Sequence, residues 1–127
     1  MVVGLGIDMV EIVRVQRMID SLGDRMYTRL FSEHEAAYIR GKPLPAQHAA
    51  VRLAAKEAAF KALAGNELAR GISWRDVEVV SGADGIPSLR FHGTAELRAR
   101  ELGVTAIHVS LTHSRETAGA VVVLSRD

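Results

Sequence analysis

The sequence of 127 residues contains no cysteine. That absence excludes disulfides, a thiolate nucleophile, cysteine-bound zinc and iron–sulfur clusters, and it agrees with a reducing compartment. Proline is scarce too, at 3 residues, so no proline-rich linker divides the chain. Aromatic residues make up only 5%, too few for the stacking platforms with which sheet-based modules bind RNA. No apolar run approaches the roughly 20 residues that span a bilayer; the longest, Ala118 to Leu124, includes a glycine. The opening residues carry neither a basic stretch nor a small-residue cleavage pattern. A cytoplasmic protein with no membrane or nucleic-acid partner is expected.

What remains is ordinary for a globular domain: 48% hydrophobic and 24% charged residues. The length suits one domain over 1–127 with a core that needs no staples. The formal net charge of +1 hides an asymmetry. Residues 14–75 hold 11 Lys/Arg against 6 Asp/Glu, whereas the segments on either side are each net negative. A basic block in a near-neutral chain suggests an anionic partner or substrate, or simply a solvated face.

Periodicity predicts the order β-α-α-β-β-α-β-β. Strands are expected over 2–8, 77–80, 88–92, 106–112 and 118–124, and helices over 9–22, 46–64 and 94–102. The result is an α+β fold, a largely antiparallel sheet packed on one long helix.

Three places hold candidate chemistry. In Gly4-Leu5-Gly6-Ile7-Asp8, the two glycines clear the strand face that ends in Asp8. Such a bare face marks close approach by a ligand or another backbone, and its carboxylate could hold Mg²⁺. Asp8 and Glu11 also have the spacing of a capping box for the next helix, with Ile7 and Ile12 as its staple. On the long helix, at about 100° per residue, Arg52 and Lys56 form one seam and Glu57 and Lys61 another. Both seams sit between apolar sides, so they have little solvent to face unless they line a cleft. Glu57 and Lys61 are equally an i, i+4 salt bridge. In the fourth strand segment, 107–113, alternation places His108, Ser110 and Thr112 on one face and Ile107, Val109, Leu111 and His113 on the other. The polar stripe could donate to phosphate oxygens or stand in solvent.

Taken together these residues resemble the holo-acyl carrier protein synthases, the small single-domain class of 4′-phosphopantetheinyl transferases. Gly4, Gly6, Asp8 and Arg14 match the family's first motif. Arg52, Lys56, Glu57, Ala58, Lys61 and Ala62 match the helix motif R-x-x-x-K-E-A-x-x-K-A. Asp84, Gly85 and Pro87 match a D-x-G-x-P turn, and His108 to His113 match the strand H-V-S-L-T-H. The resemblance runs from residue 2 to about 124 and is loosest over 20–48.

It implies the 4′-phosphopantetheinyl transferase fold. It also implies transfer of the phosphopantetheine arm from coenzyme A to a serine of apo-acyl carrier protein, releasing adenosine 3′,5′-bisphosphate, in support of fatty acid biosynthesis. By matched position, Asp8 and Glu57 would bind Mg²⁺ and Lys61 would contact the coenzyme A diphosphate, these three being the catalytic set. Arg52 and His108 would lie near the 3′-phosphate, and the backbone at Gly85 and Pro87 against the adenine. Either Glu57 or a metal-bound water would take the serine proton. Arg14, Arg17, Met18 and Arg25, with Met26, would dock the acidic carrier protein. The family is typically a homotrimer with interfacial active sites, which fits a helix apolar on two sides and a C-terminal strand apolar on both faces.

Overall fold

The computed structural model describes all 127 residues. Strands β1 (Val2–Glu11), β4 (Ala106–His113) and β5 (Thr117–Ser125) form an antiparallel sheet in the order β1-β5-β4. Strands β2 (Val77–Ser81) and β3 (Pro87–Phe91) make a separate hairpin. Helix α4 (Pro45–Leu63) runs through the middle, and 13 of its 19 residues are buried, so it is the core rather than a cover for it. Around it lie α1 (Ile12–Leu22), α2 (Asp24–Leu30), α3 (Glu33–Arg40), α5 (Glu67–Arg70) and α6 (Gly93–Glu101). The first and last segments are tied together. The Met1 ammonium donates to Arg126 O at 2.7 Å, and Arg126 N donates to Met1 O at 2.8 Å.

The bare face of β1 meets another backbone. A Cβ at Gly4 would collide with the carbonyl of Ala62, and one at Gly6 with the carbonyl of Ala58. Strand and helix approach closely because both surfaces are small: glycine on one side, Ala58 and Ala62 on the other. On the inner side of the sheet Val10, Ala118, Ala120, Val122 and Leu124 are buried. The outer side differs. Leu5, Ile7 and Met9 are 64%, 65% and 71% exposed, an apolar strip uncovered by any other part of the chain. Register places Val123 beside Leu5 and Val121 beside Ile7, continuing the strip. On β4 His108, Ser110 and Thr112 stand on this outer side, opposite Val123, Val121 and Gly119.

Several expectations need correction. The first strand does not stop at Asp8. It pairs with β5 as far as Glu11–Thr117, and the helix begins at Ile12 rather than residue 9. Asp8 therefore lies inside a strand, and the Asp8–Glu11 capping box does not form: Glu11 is the N-cap and its side chain caps nothing. Helices α2, α3 and α5 are additional to the expected order. The two apolar sides of α4 are covered within the chain, so they are no sign of assembly. Met26 is 1% exposed and belongs to the core, not to a docking surface.

Candidate active site

The two charged seams of α4 go to different places. The Glu57/Lys61 seam faces β1. Lys61 Nζ donates to Asp8 Oδ1 at 3.1 Å and to the Ile7 carbonyl at 2.9 Å. The ion pair is lopsided, with the Lys61 side chain 57% exposed and that of Asp8 14%. Asp8 Oδ2 is buried and has no hydrogen-bond donor. The group set against Asp8 is the Glu57 carboxyl, and only one proton between them can relieve their repulsion. Burial, and then the neighbouring Asp8, push Glu57 up to about 7, while Arg14 and Lys61 pull the other way. Burial would raise Asp8 too, but the adjoining Glu57 carboxyl and the Lys61 ammonium hold it below the usual carboxylate value.

This is the electrostatic character of a cation site. One oxygen lacks a donor, and two carboxylates compete for a positive partner. No cluster of three or more Asp, Glu or His could cage a metal ion. Two carboxylates suit a Mg²⁺ that takes its other ligands from substrate phosphates and water. The residues therefore fit that ion.

The Arg52/Lys56 seam faces α3 and β2. Lys56 is wholly buried on Glu35, within the core. Arg52 is 5% exposed, its guanidinium 4.2 Å from the centre of the Tyr38 ring. Nη1 donates to His48 O at 3.3 Å and Nη2 to Ser81 Oγ at 3.4 Å, whereas Nε is buried without a partner. Lys42 Nζ lies on the same ring, 4.4 Å from its centre. Burial would raise the Tyr38 phenol, but Arg52 and Lys42 hold it below its ordinary value. Burial, then Arg52, Lys42 and His113, push the His48 imidazole down. Two cations with a spare donor thus gather beside Ser81, where the 82–86 turn begins. Gly85 supplies that turn's positive φ of 80°, and Asp84 Oδ1 accepts from Ile86 N at 3.0 Å. Tyr38 and Lys42 are additions to the expected set; their only sequence signal was proximity to the Gly41–Pro45 punctuation.

His108 is not brought to Arg52. It stands on the outer side of the sheet, with Nε2 3.2 Å from Ser125 Oγ, and α4 lies on the inner side. The two expected contacts for one phosphate are thus on opposite faces within a single chain. Arg14, Arg17 and Arg25 are exposed on α1 and α2, and Met18 is half-buried. A cavity of about 200 Å³ is lined by Met18, Leu22, Arg25, Met26, Arg29 and Leu30. It adds Arg29 to the basic set. Arg14 also feels Glu57, so this surface borders the carboxylate pair.

Comparison with known proteins identifies the family. Residues 4–121 match the model of the 4′-phosphopantetheinyl transferase superfamily. The holo-[acyl-carrier-protein] synthase of Solidesulfovibrio magneticus is 46% identical over 124 residues, 98% of both chains. The crystal structure of the Neisseria meningitidis holo-[acyl-carrier-protein] synthase has a TM-score of 0.86 at 25% identity, covering 99% of this chain and 100% of that one. The Bacillus anthracis synthase in complex with CoA (3′,5′-ADP) has a TM-score of 0.79 at 32% identity, covering 100% and 99%. With a family match over residues 4–121 and a relative 46% identical along nearly its whole length, the chain belongs to the 4′-phosphopantetheinyl transferase superfamily, among the holo-[acyl-carrier-protein] synthases.

Proposed function

We propose that the chain transfers the 4′-phosphopantetheine group of coenzyme A to a serine of apo-acyl carrier protein, with Mg²⁺ held between Asp8 and Glu57. The observation that carries the metal assignment is the buried, donorless Asp8 Oδ2 set against Glu57. Mg²⁺ there would supply charge neutralisation to a diphosphate under attack. Lys61 is exposed enough to turn from Asp8 to the diphosphate. In the reaction the serine oxygen forms a bond to the β-phosphorus, the bond to the adenosine bisphosphate oxygen breaks, and the serine proton must pass to a base. Glu57, in its ionised form, would take that proton. Arg52, Lys42 and the Gly85–Pro87 turn would receive the nucleotide end.

The basic surface of Arg14, Arg17, Arg25 and Met18 would dock the acidic carrier beside the carboxylates, its charge steering the encounter. The exposed strip of Leu5, Ile7 and Met9 supports an interface between copies of the chain, since a contiguous apolar patch of this kind marks an interaction site, and the family resemblance makes that assembly a homotrimer. His108 stands on that side and would complete the site of a neighbouring copy. No helix is long and apolar enough to cross a membrane, and we place the reaction in the cytoplasm, supplying carrier protein to fatty acid synthesis.

Mass spectrometry of an apo-acyl carrier protein incubated with coenzyme A, Mg²⁺ and this protein tests the transfer. Asp8→Asn tests the metal. Asp8 caps no helix, so the variant should fold. It should lose activity on the order of 10²-fold or more, together with its Mg²⁺ response. Full activity in Asp8→Asn would remove the metal from the scheme.

A further inference from the structure

Lys56 precedes Glu57 on α4, yet nothing in the transfer chemistry uses it. Its side chain and that of Glu35 are both 0% exposed. The ammonium donates to Glu35 Oε1 at 2.9 Å, to the Trp74 carbonyl at 2.9 Å and to the Val77 carbonyl. All three protons are used. The Glu35 carboxylate also accepts from Ser32 N at 2.8 Å and from Val79 N at 2.9 Å. A buried ion pair of this kind is a poor source of stability, because desolvation offsets its attraction. Its value lies in what it orients.

What it orients is β2. Three of its contacts, to Trp74, Val77 and Val79, fall on the backbone that enters or begins this strand. Two residues after Val79 comes Ser81, whose hydroxyl takes the Arg52 guanidinium, and the 82–86 turn follows. Arg52 is one helical turn before Lys56, on the same seam of α4. The pair thus sets the register of the hairpin against the helix, one turn from the place where hairpin and helix meet beside Arg52 and Lys42. We infer that the buried Lys56–Glu35 pair is a positioning device for coenzyme A recognition. It holds β2 and its turn so that Arg52 and the turn backbone face the nucleotide as one surface. This rests on the reading of Arg52 as a contact to the 3′-phosphate.

The test compares coenzyme A with coenzyme A lacking its 3′-phosphate. The wild type should prefer the former in kcat/KM by about tenfold or more, as expected for a charged contact. The Glu35→Leu/Lys56→Met double variant removes both charges at similar volume, so it strands neither. Its preference should fall to within about twofold through KM for coenzyme A, while KM for the carrier protein stays unchanged. Glu35→Asp keeps both charges but shortens the reach by one methylene. It should lose part of the preference, and it serves if the double variant does not fold. A cooperatively folding variant that keeps the full preference overturns the inference, and so does failure of both variants to fold, which would make the pair a general support of the core. Arg52→Met separates the two claims. If it leaves the preference intact, the Arg52 assignment is wrong and the positioning role falls with it. If it abolishes the preference while the pair variants keep it, only the positioning role falls.

Discussion

Replacing Gly6 with alanine measures how closely β1 and α4 are joined. Gly6 does not have a positive φ, so alanine meets no conformational strain there. By restricting the unfolded chain the substitution should even stabilise, by about 0.4–1 kcal/mol. The contact opposes this. A Cβ at residue 6 would collide with Ala58 O and lie 3.0 Å from Ala62 N. These are backbone atoms inside a helix, and no rotamer change moves them. Overpacking of this kind costs about 1–3 kcal/mol, and with no side chain to yield the upper part of that range applies. The expected net loss is about 1–2 kcal/mol, or roughly 3–10 °C in Tm for a chain of this size. The relief must come from moving strand and helix apart. Asp8 lies two residues beyond the clash on the strand, and Glu57 immediately before Ala58 on the helix. Transfer activity should therefore fall more than the loss of stability alone would cause. Gly71→Ala is the control: its Cβ would meet only Leu68 O at 3.5 Å and Thr94 Cγ2 at 3.8 Å, at a φ of −87°. Urea and thermal unfolding of both variants, with transfer assays on the same samples, decide the matter. Equal stability and full activity in the two alanine variants would refute the close-contact account.

Glu57 makes stability depend on pH with a definite sign. Its folded value of about 7 lies above the ordinary 4.5, so the folded state binds more proton between them. Stability should decline as pH rises from 4.5 to 7 and level off above; Glu57→Gln should remove that decline in urea titrations across this window. Arg14→Glu should weaken carrier-protein binding about tenfold or more while sparing coenzyme A, and raised salt should weaken wild-type docking because exposed charges are screened over about 8–10 Å. Titrations showing equal loss of both ligands would place Arg14 in the coenzyme A site instead. Finally, Asp8→Asn and His108→Ala proteins, each weak alone, should regain part of the activity when mixed, because some mixed interfaces would carry both native residues. A fully active monomer by sedimentation at assay concentration would exclude this.

The parts of the fold that follow from local pattern were legible. The Gly4/Gly6 strand face, the alanine-rich helix and its stop before Gly65–Asn66, and the β2–β3 turn all lie close to their expected places. The meeting of Asp8, Glu57 and Lys61 followed from motif resemblance rather than periodicity. What escaped was non-local. The extent of β1 depends on its pairing with β5, more than a hundred residues away, so the Asp8–Glu11 spacing looked like a cap although a strand runs through it. The seam angle of Lys56 was right, but its burial depends on Glu35, on another helix. Met26 reads as a free hydrophobe beside arginines until α2 folds against the core. One miss was avoidable: Ser32 and Glu35 form a true capping box, and their S-x-x-E spacing announces α3.

The order of strands has a consequence for how the molecule is made. The middle strand of the sheet, β5, is also the one synthesised after every other, and both its neighbours pair only with it. Until residues 117–125 are available, β1 and β4 have no common partner, and the β1–β5 ladder spans nearly the greatest sequence separation the chain offers. Contacts of such range close slowly. The β2–β3 hairpin and the Lys56–Glu35 pair can form earlier, because they rest on nearer contacts. During synthesis the coenzyme A side of the molecule should thus take shape before Asp8 is fixed opposite Glu57, and the carboxylate pair, with its mutual repulsion, should be the last part of the site to come together.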